Sequence, residues 1–371
     1  MRITDVTCIP LSFVPSRPPR DGLSNIASRD VFLVQVHTDA GITGTGECFA
    51  LGTLRTLASI VDEILKPVLI GEDPSLIEAL WEKMYRHSFR VGRRGIVLAA
   101  ISGIDIALWD ILGQEAKMPL YRLLGGSRER IMAYASGGYY LEGKGVDELQ
   151  QEMAGYARQG FKAVKMKIGG AETLQEDMER VRYAREALGP DIELAVDANN
   201  AWDFNTALRV ARALEPYHIL WFEEPLSSDD IESSIALAAA TDIPIAGYET
   251  EYTRFGLREM IARRAVDIVQ TDVIWSGGVT ECRKIAALAS GWGMPCVPHF
   301  SASAISLAAN LHFGCSIPNA KYFEFTQDNN PLRDELLNHS IKHHQGWLIP
   351  PEGPGLGLDI NWSVVQKYRV F

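Results

Sequence analysis

From about Arg130 onward the chain repeats one pattern, and that pattern limits the fold more than any other feature. Short apolar segments ("IMAYAS", "AVKMKI", "IELAVDA", "ILWFEEP", "IPIAGYE", "DIVQTDV", "CVPHFS", "KYFEFT") alternate with stretches of helical periodicity such as 146–159 and 173–188. Each of the first seven segments is followed by such a stretch. Repeated βα units imply parallel strands joined by right-handed crossovers. Eight strands in one run predict a (β/α)8-type barrel, and the pattern alone also admits a doubly wound sheet. After the eighth segment comes "TQDNNPLRDELL", with no further crossover helix. The C-terminal tail is therefore expected to pack back on the N-terminal part.

That N-terminal part reads as α+β. "DVFLVQVHTDAGITGTGE" alternates like a strand, turns at Asp39–Gly41 and resumes, which predicts a hairpin. "VPSRPPRDGLSNIASRD" before it is rich in Pro, Ser and Arg and reads as a mobile loop. Helical periodicity predicts helices over about 53–69, 75–86 and 96–112. The last of these is the longest apolar run. Asp105 and Asp110 interrupt it, so a buried helix explains it better than a membrane span.

Nearly every barrel segment ends in an ionisable residue. Lys167 closes the second, Asp197 the third, Glu223 the fourth and Glu249 the fifth. Asp272, His299 and Glu324 close the sixth, seventh and eighth. Successive separations run from 23 to 30 residues (272−249 and 197−167), about the length of one βα unit. A single Asp or Glu after a strand is usually a helix N-cap or a solvated charge. Seven in register with the strand repeat are different: they converge on the carboxyl end of the barrel, where barrel enzymes place their chemistry.

Asp197, Glu223 and Glu249 come from consecutive strands and offer only hard oxygen ligands. Three converging carboxylates call for a divalent cation, and with no His or Cys among them Mg2+ is favoured. Glu224 and Glu251 compete for these places. Glu223 shares a face with Trp221 whereas Glu224 points the other way, and Glu251 lies farther into its loop. Asp272 and His299 sit on adjacent strands; a carboxylate on one imidazole nitrogen fixes the tautomer and raises the basicity of the other. In "FKAVKMKIGG", alternation aims Lys165 and Lys167 at the barrel mouth and sends Val164 and Met166 to the surrounding helices. Near each other and near a dication, both lysines are expected to have depressed pKa values, and a neutral lysine is a competent base. Glu324 can hydrogen-bond substrate oxygens. Two bases flanking a cation that holds a carboxylate suit removal of the proton α to that carboxylate.

The net charge of −11 and a sequence pI near 5.3 argue against nucleic acid or an anionic membrane as partner. Five cysteines without CxxC spacing fit reduced thiols in a cytoplasm, and "MRITDVTCIP" has no secretory apolar stretch. The His343–His344 pair reads as surface.

The motifs "KAVKMKIG", "VDANNAW", "FEEPL", "AGYETEYTRFG", "TDV…GGVTE" and "VPHF" resemble the strand-end motifs of the enolase superfamily, most closely its mandelate racemase-like subgroup. The likeness extends to "GIDIALWDILGQ…MPLYRLLGG" and covers essentially the whole chain. It implies an α/β fold, a modified TIM barrel of (β/α)7β type. The expected parts are an N-terminal α+β capping domain (1–125), the barrel (126–325) and a C-terminal segment packing on the cap (326–371). It also implies metal ligands at Asp197, Glu223 and Glu249, and a catalytic lysine at Lys167. Lys165 falls on the partner that contacts the substrate carboxylate, Asp272 and His299 on the dyad, Glu324 on the eighth-strand acid, and Asn199 on a polar position beside the metal. Segments 15–29 and 49–53 match loops that close over substrate. Tyr248 stands where relatives carry a small residue, and Trp275 follows the dyad aspartate; both are expected to narrow the pocket. The dyad excludes the amino-acid-derivative branch, which carries a second lysine on the sixth strand. A homo-oligomer is implied by the resemblance alone.

Most members with this lysine-plus-dyad set resemble acid-sugar dehydratases. One base takes the α-proton, protonated His299 helps the β-hydroxide leave, and a 2-keto-3-deoxy acid results. A racemase using Lys167 and His299 on opposite faces would need the same residues. A Schiff-base aldolase built on Lys167 would not need the three carboxylates, and a non-catalytic binding barrel would need none of the set. Arg17, Arg20, Arg90, Arg93 and Arg94 are candidates to meet a second carboxylate of a diacid.

Overall fold

A computed structural model describes all residues from Met1 to Phe371. Strands β1 (Ile3–Phe13), β2 (Arg29–Thr38) and β3 (Thr43–Cys48) form an antiparallel sheet in the order β1-β2-β3. The hairpin turns at Asp39–Gly41 as expected, with Gly41 supplying a left-handed φ of 75°. β1 escapes the sequence reading because its inward residues do not alternate cleanly. Beside the sheet a continuous helical run comprises Leu54–Ser59, a π-helical stretch Ile60–Leu65, and Lys66–Leu69. Helices Ile77–Ser88 and Ile96–Glu115 follow. The last continues one turn beyond the expected end at 112. It is long and apolar enough to cross a membrane, but most of it is buried between β3 and the barrel helix Gly278–Gly291. Gly46 is what allows the close approach: a Cβ there would overlap the Gly103 carbonyl oxygen of the helix.

Eight parallel strands follow: β4 (Ile131–Gly137), β5 (Ala163–Lys167), β6 (Glu193–Asp197), β7 (Ile219–Glu223), β8 (Ile245–Gly247), β9 (Ile268–Thr271), β10 (Cys296–Pro298) and β11 (Tyr322–Thr326). They pair in the order β10-β9-β8-β7-β6-β5-β4-β11, and β10 lies beside β11 across the seam. This is the barrel, and the doubly wound alternative falls. Seven crossover helices cover it, and side chains fix the N-termini of four: Thr173 and Glu176 form a capping box, and Asp203, Asp230 and Ser303 cap theirs. After β11 only the short helices Pro331–Asp334 and Trp362–Tyr368 form, and neither is an eighth crossover.

The barrel's inward positions are layered. Tyr134, Ala163, Ala195, Trp221 and Val297 fill the lower level, large against small, and Trp221 meets Tyr134 edge-on at 5.1 Å. One step along the same strands come the ionisable residues. Outward-facing Val164, Met166, Leu194, Val196 and Phe222 belong to the larger core under the helices. Lys162 is exposed, as its phase and end position require. The tail returns twice: β12 (Trp347–Leu348) pairs antiparallel with β4, and Arg369 bridges Leu11 of β1. Leu336, Leu337, Val364 and Val365 pack there against Ile9, Leu11, Val31 and Leu33.

Candidate active site

The parallel register sets the site's floor. Lys167, Asp197 and Glu223 are neighbours across β5, β6 and β7, so three strand ends deliver three charges at one level. β8 stops two residues short of Glu249. Between them Tyr248 takes a left-handed φ of 78°, turning its ring into a separate apolar space beside Leu237, Ile245 and Val266. The expectation that Tyr248 narrows the substrate pocket is therefore corrected: the reversal sends the ring out and the Glu249 carboxylate in. One oxygen from each of Asp197, Glu223 and Glu249 lies within 4.8 Å of the others, and all three residues are buried. The donor set is purely carboxylate, and Glu249 Oε2 is buried with no hydrogen-bond partner. These residues fit a hard divalent cation.

Lysines neutralise part of the triad. Lys167 Nζ donates to Asp197 Oδ2 at 2.5 Å. Lys165 is completely buried; its ammonium pairs with Glu223, with Glu324 Oε1 at 2.9 Å and with Asp197 Oδ2 at 3.3 Å. Burial works against both charges, yet Asp197 holds the Lys167 pKa well above normal, and Glu223 and Glu324 do the same for Lys165. The expected depression is therefore absent from this charge set, because carboxylates outnumber ammonium groups around each lysine. Nor does Lys165 line the cavity as its expected contact with a substrate carboxylate would require: it lies beneath the floor. Glu223 is further held by Trp221 Nε1 at 2.9 Å and Gln270 Nε2 at 2.8 Å.

The opposite wall is the dyad. His299 Nδ1 lies 2.8 Å from Asp272 Oδ2, and Nε2 faces Glu249 Oε2 at 3.4 Å and Glu324 Oε2 at 3.8 Å. Burial disfavours the imidazolium, but Glu249, Glu324 and Asp272 together raise its pKa to about 10. Glu324, despite its burial, is held down at about 2 by Lys165 and His299. Asn199 enters beside Glu249, anchored by its backbone N–H to Asp197 Oδ1 at 2.9 Å.

Lys167, Asn199, Glu249, His299 and Glu324 share one cavity whose roof comes from the capping domain, including Leu23, Ile26, Phe49 and Leu51. Segments 15–29 and 49–53 thus both reach the mouth. The first is tied down at Arg20, which exchanges backbone hydrogen bonds with Tyr140. Trp275 lines the cavity as expected. Glu224 does too, against expectation: a left-handed φ of 39° after the strand end breaks the alternation on which its outward placement rested. Glu251 is outside, bonded to Ser228 and near Arg94.

None of the five candidate arginines lines the cavity. Arg17 pairs with Glu148 on the surface, Arg20 donates to the Gly170 carbonyl, and Arg90, Arg93 and Arg94 lie elsewhere. The cavity's one arginine is Arg29, buried and paired with Asp328 at 2.5 Å. With Tyr139, Ser301 and Asn330 it belongs to the residues that sequence reasoning passes over. Its only signal was a charge at the end of a loop otherwise short of core residues.

A cap closed over a parallel barrel, with an all-oxygen acidic triad between a lysine and a His–Asp pair, defines a class of barrel enzymes that work on small carboxylates. The chain belongs to the enolase superfamily, in its mandelate racemase/muconate lactonizing enzyme group. Residues 7–125 match the mandelate racemase/muconate lactonizing enzyme N-terminal domain, and residues 148–364 the enolase C-terminal domain-like family. An arabinonate dehydratase of Saccharolobus solfataricus is 44% identical over 99% of both chains. A D-galactarolactone cycloisomerase of Agrobacterium fabrum is 35% identical over 100% of this chain and 99% of its own. The crystal structure of a Streptomyces coelicolor racemase with bound magnesium superimposes with a TM-score of 0.91 at 29% identity, covering 99% of this chain and 100% of that one.

Proposed function

We propose that the chain is a Mg2+-dependent hydro-lyase that converts an acid sugar, an aldonate or aldarate, to a 2-keto-3-deoxy acid. The observation that carries the proton chemistry is the placement of Lys167 and His299 in the wall of one cavity, each beside the triad, and the 44% identity to an arabinonate dehydratase supports loss of water over inversion. Asp197, Glu223 and Glu249 would hold the cation. When bound it supplies positive charge that favours a neutral lysine and offsets the charge developing on the substrate carboxylate.

The chain's own residues do the rest. Lys167 Nζ takes the α-proton, and the C–H electron pair moves into the carboxylate to give an enediolate. As that pair returns to form the C=C bond, the β C–O bond breaks. His299 Nε2 protonates the departing hydroxide, which leaves as water, and the enol product tautomerises to the keto acid. Asp272 keeps the Nδ1–H tautomer, so that Nε2 faces the substrate. Glu324 and Asn199 are placed to bond substrate oxygens. Arg29, the only guanidinium in the wall, is already paired with Asp328, which supports a monocarboxylate.

Incubating aldonates and aldarates with Mg2+ and measuring 2-keto acid tests the reading. Lys167→Ala is expected to lower turnover of an identified substrate by about 100- to 10,000-fold, the range of a general base. Unimpaired turnover would remove Lys167 from the mechanism. Inversion of the α-carbon without loss of water would favour the racemase, which uses the same two walls.

A further inference from the structure

Behind the dyad lies a chain of buried polar contacts that begins in the capping domain. Glu47 of β3 is 1% exposed and reaches across the domain boundary to the helix Ala304–Ser316. Its carboxylate accepts from Ser303 N at 3.3 Å, from the Ser303 hydroxyl and from Ser306 N at 2.8 Å. A carboxylate at a helix N-terminus satisfies otherwise free N–H groups and meets the positive end of the dipole. Two turns on, the same helix carries Asn310, fully buried. Asn310 Nδ2 donates to Asp272 Oδ1 at 2.8 Å and back to the Ser306 carbonyl at 3.2 Å, and its Oδ1 accepts from Val273 N at 3.1 Å.

We infer that Asn310 is a positioning residue for the Asp272–His299 dyad, carried on a helix whose N-terminus is held by Glu47 from the other domain. The inference rests on the lyase reading above, in which His299 assists hydroxide departure. Asp272 Oδ1 receives Asn310 Nδ2 and Ile274 N (3.0 Å), leaving Oδ2 turned to His299 Nδ1. The amide cannot flip without setting its carbonyl against a carboxylate and its NH2 against the Val273 N–H. The carboxylate's rotation is therefore fixed by a side chain that touches neither substrate nor His299, and with it the line along which Nε2 enters the cavity.

The test uses Asn310→Ala, with Asn310→Ser as a second variant that keeps a donor should the first fold poorly, and His299→Asn as reference. Thermal melting establishes that each is folded. In D2O, incorporation of deuterium at the α-carbon reports Lys167, and 2-keto acid formation reports the whole elimination. Asn310→Ala is expected to lower kcat for elimination about 10- to 100-fold, the scale of a ligand's outer hydrogen-bond partner. KM should stay within about twofold and the exchange-to-elimination ratio should rise, as in His299→Asn. The His299 Nδ1–H proton resonance should move in Asn310→Ala and be partly restored in Asn310→Ser. Exchange and elimination falling together with that resonance unmoved, or a folded Asn310→Ala with normal kcat, would overturn the inference. Normal elimination by His299→Asn would instead remove His299 from hydroxide departure, whereas no 2-keto acid from the unaltered enzyme with any aldonate or aldarate would sink the lyase reading on which the inference stands.

Discussion

Phe49 of the capping domain lies flat on Trp275 of the barrel, ring centroids 3.7 Å apart and planes 14° from parallel. The pair is locked from both sides, by Phe49 N donating to the Ile274 carbonyl at 3.1 Å and by the Trp275 indole N–H donating to Tyr252. Trp275 also meets His299 edge-on at 6.3 Å. The lid is thus fastened directly above the dyad. A stacked pair contributes about 0.5–1.5 kcal/mol beyond its buried area. Phe49→Ala is accordingly expected to raise KM about three- to tenfold, with a smaller change in kcat. Steady-state kinetics on a confirmed substrate checks this; a purely kcat effect would show that the stack acts on chemistry and not on closure.

Removing the cation should leave the protein folded and inactive. Lys165 and Lys167 already neutralise much of the triad, so chelation exposes no bare cluster of carboxylates. EDTA is expected to abolish turnover with little change in melting temperature, and Mg2+ to restore it. Glu249→Gln should weaken Mg2+ binding, read by calorimetry, and cut turnover by about 100-fold or more, as loss of a charge-stabilising group does.

His312 sets an acid limit on stability. It is buried, with Nδ1 accepting from Tyr121 N at 3.1 Å and Nε2 donating to the Leu356 carbonyl at 3.3 Å. Burial lowers its pKa to about 4 from the ordinary 6.5. The unfolded chain therefore binds a proton between these values that the folded chain refuses, and stability is lost as pH falls from about 6.5 toward 4. Protonating Nδ1 would break the bond to Tyr121. A His312→Gln variant, which retains an acceptor and a donor, should show a shallower fall of melting temperature over that window. Identical slopes would assign the acid sensitivity elsewhere.

Gly46→Ala tests the seam between sheet and helix. The added methyl meets the Gly103 carbonyl, backbone that cannot swing away. Overpacking of this kind costs about 1–3 kcal/mol. Urea denaturation should show a lower midpoint at unchanged slope.

The strand-end residues of the candidate site were legible because one period governs both strand spacing and side-chain direction. Once Lys167 is inward at a strand's end, Asp197 and Glu223 follow at the same level. Residues off that period were not legible. Glu224 and Tyr248 adopt left-handed backbone after their strands, so alternation assigns them no direction. Arg29, Glu47 and Asn310 come from a loop end, a capping strand and a crossover helix, and only the tertiary fold brings them to the site. The lysine pKa values were not legible for another reason: they depend on how many carboxylates surround each ammonium, and whether a cation shares them, which no spacing records.

Leu11 pairs with Arg369, a residue made 358 positions later (369−11). During synthesis the first strand of the cap therefore emerges long before the segment that covers its outer edge. Until then Ile9 and Leu11 lack part of their cover, and an open strand edge invites pairing with other chains. The order of translation is the reverse of the order of completion: the part that leaves the ribosome first is finished after the barrel. Chains truncated before about Trp362 should consequently be sticky at their N-terminal sheet, although every residue of the site is present.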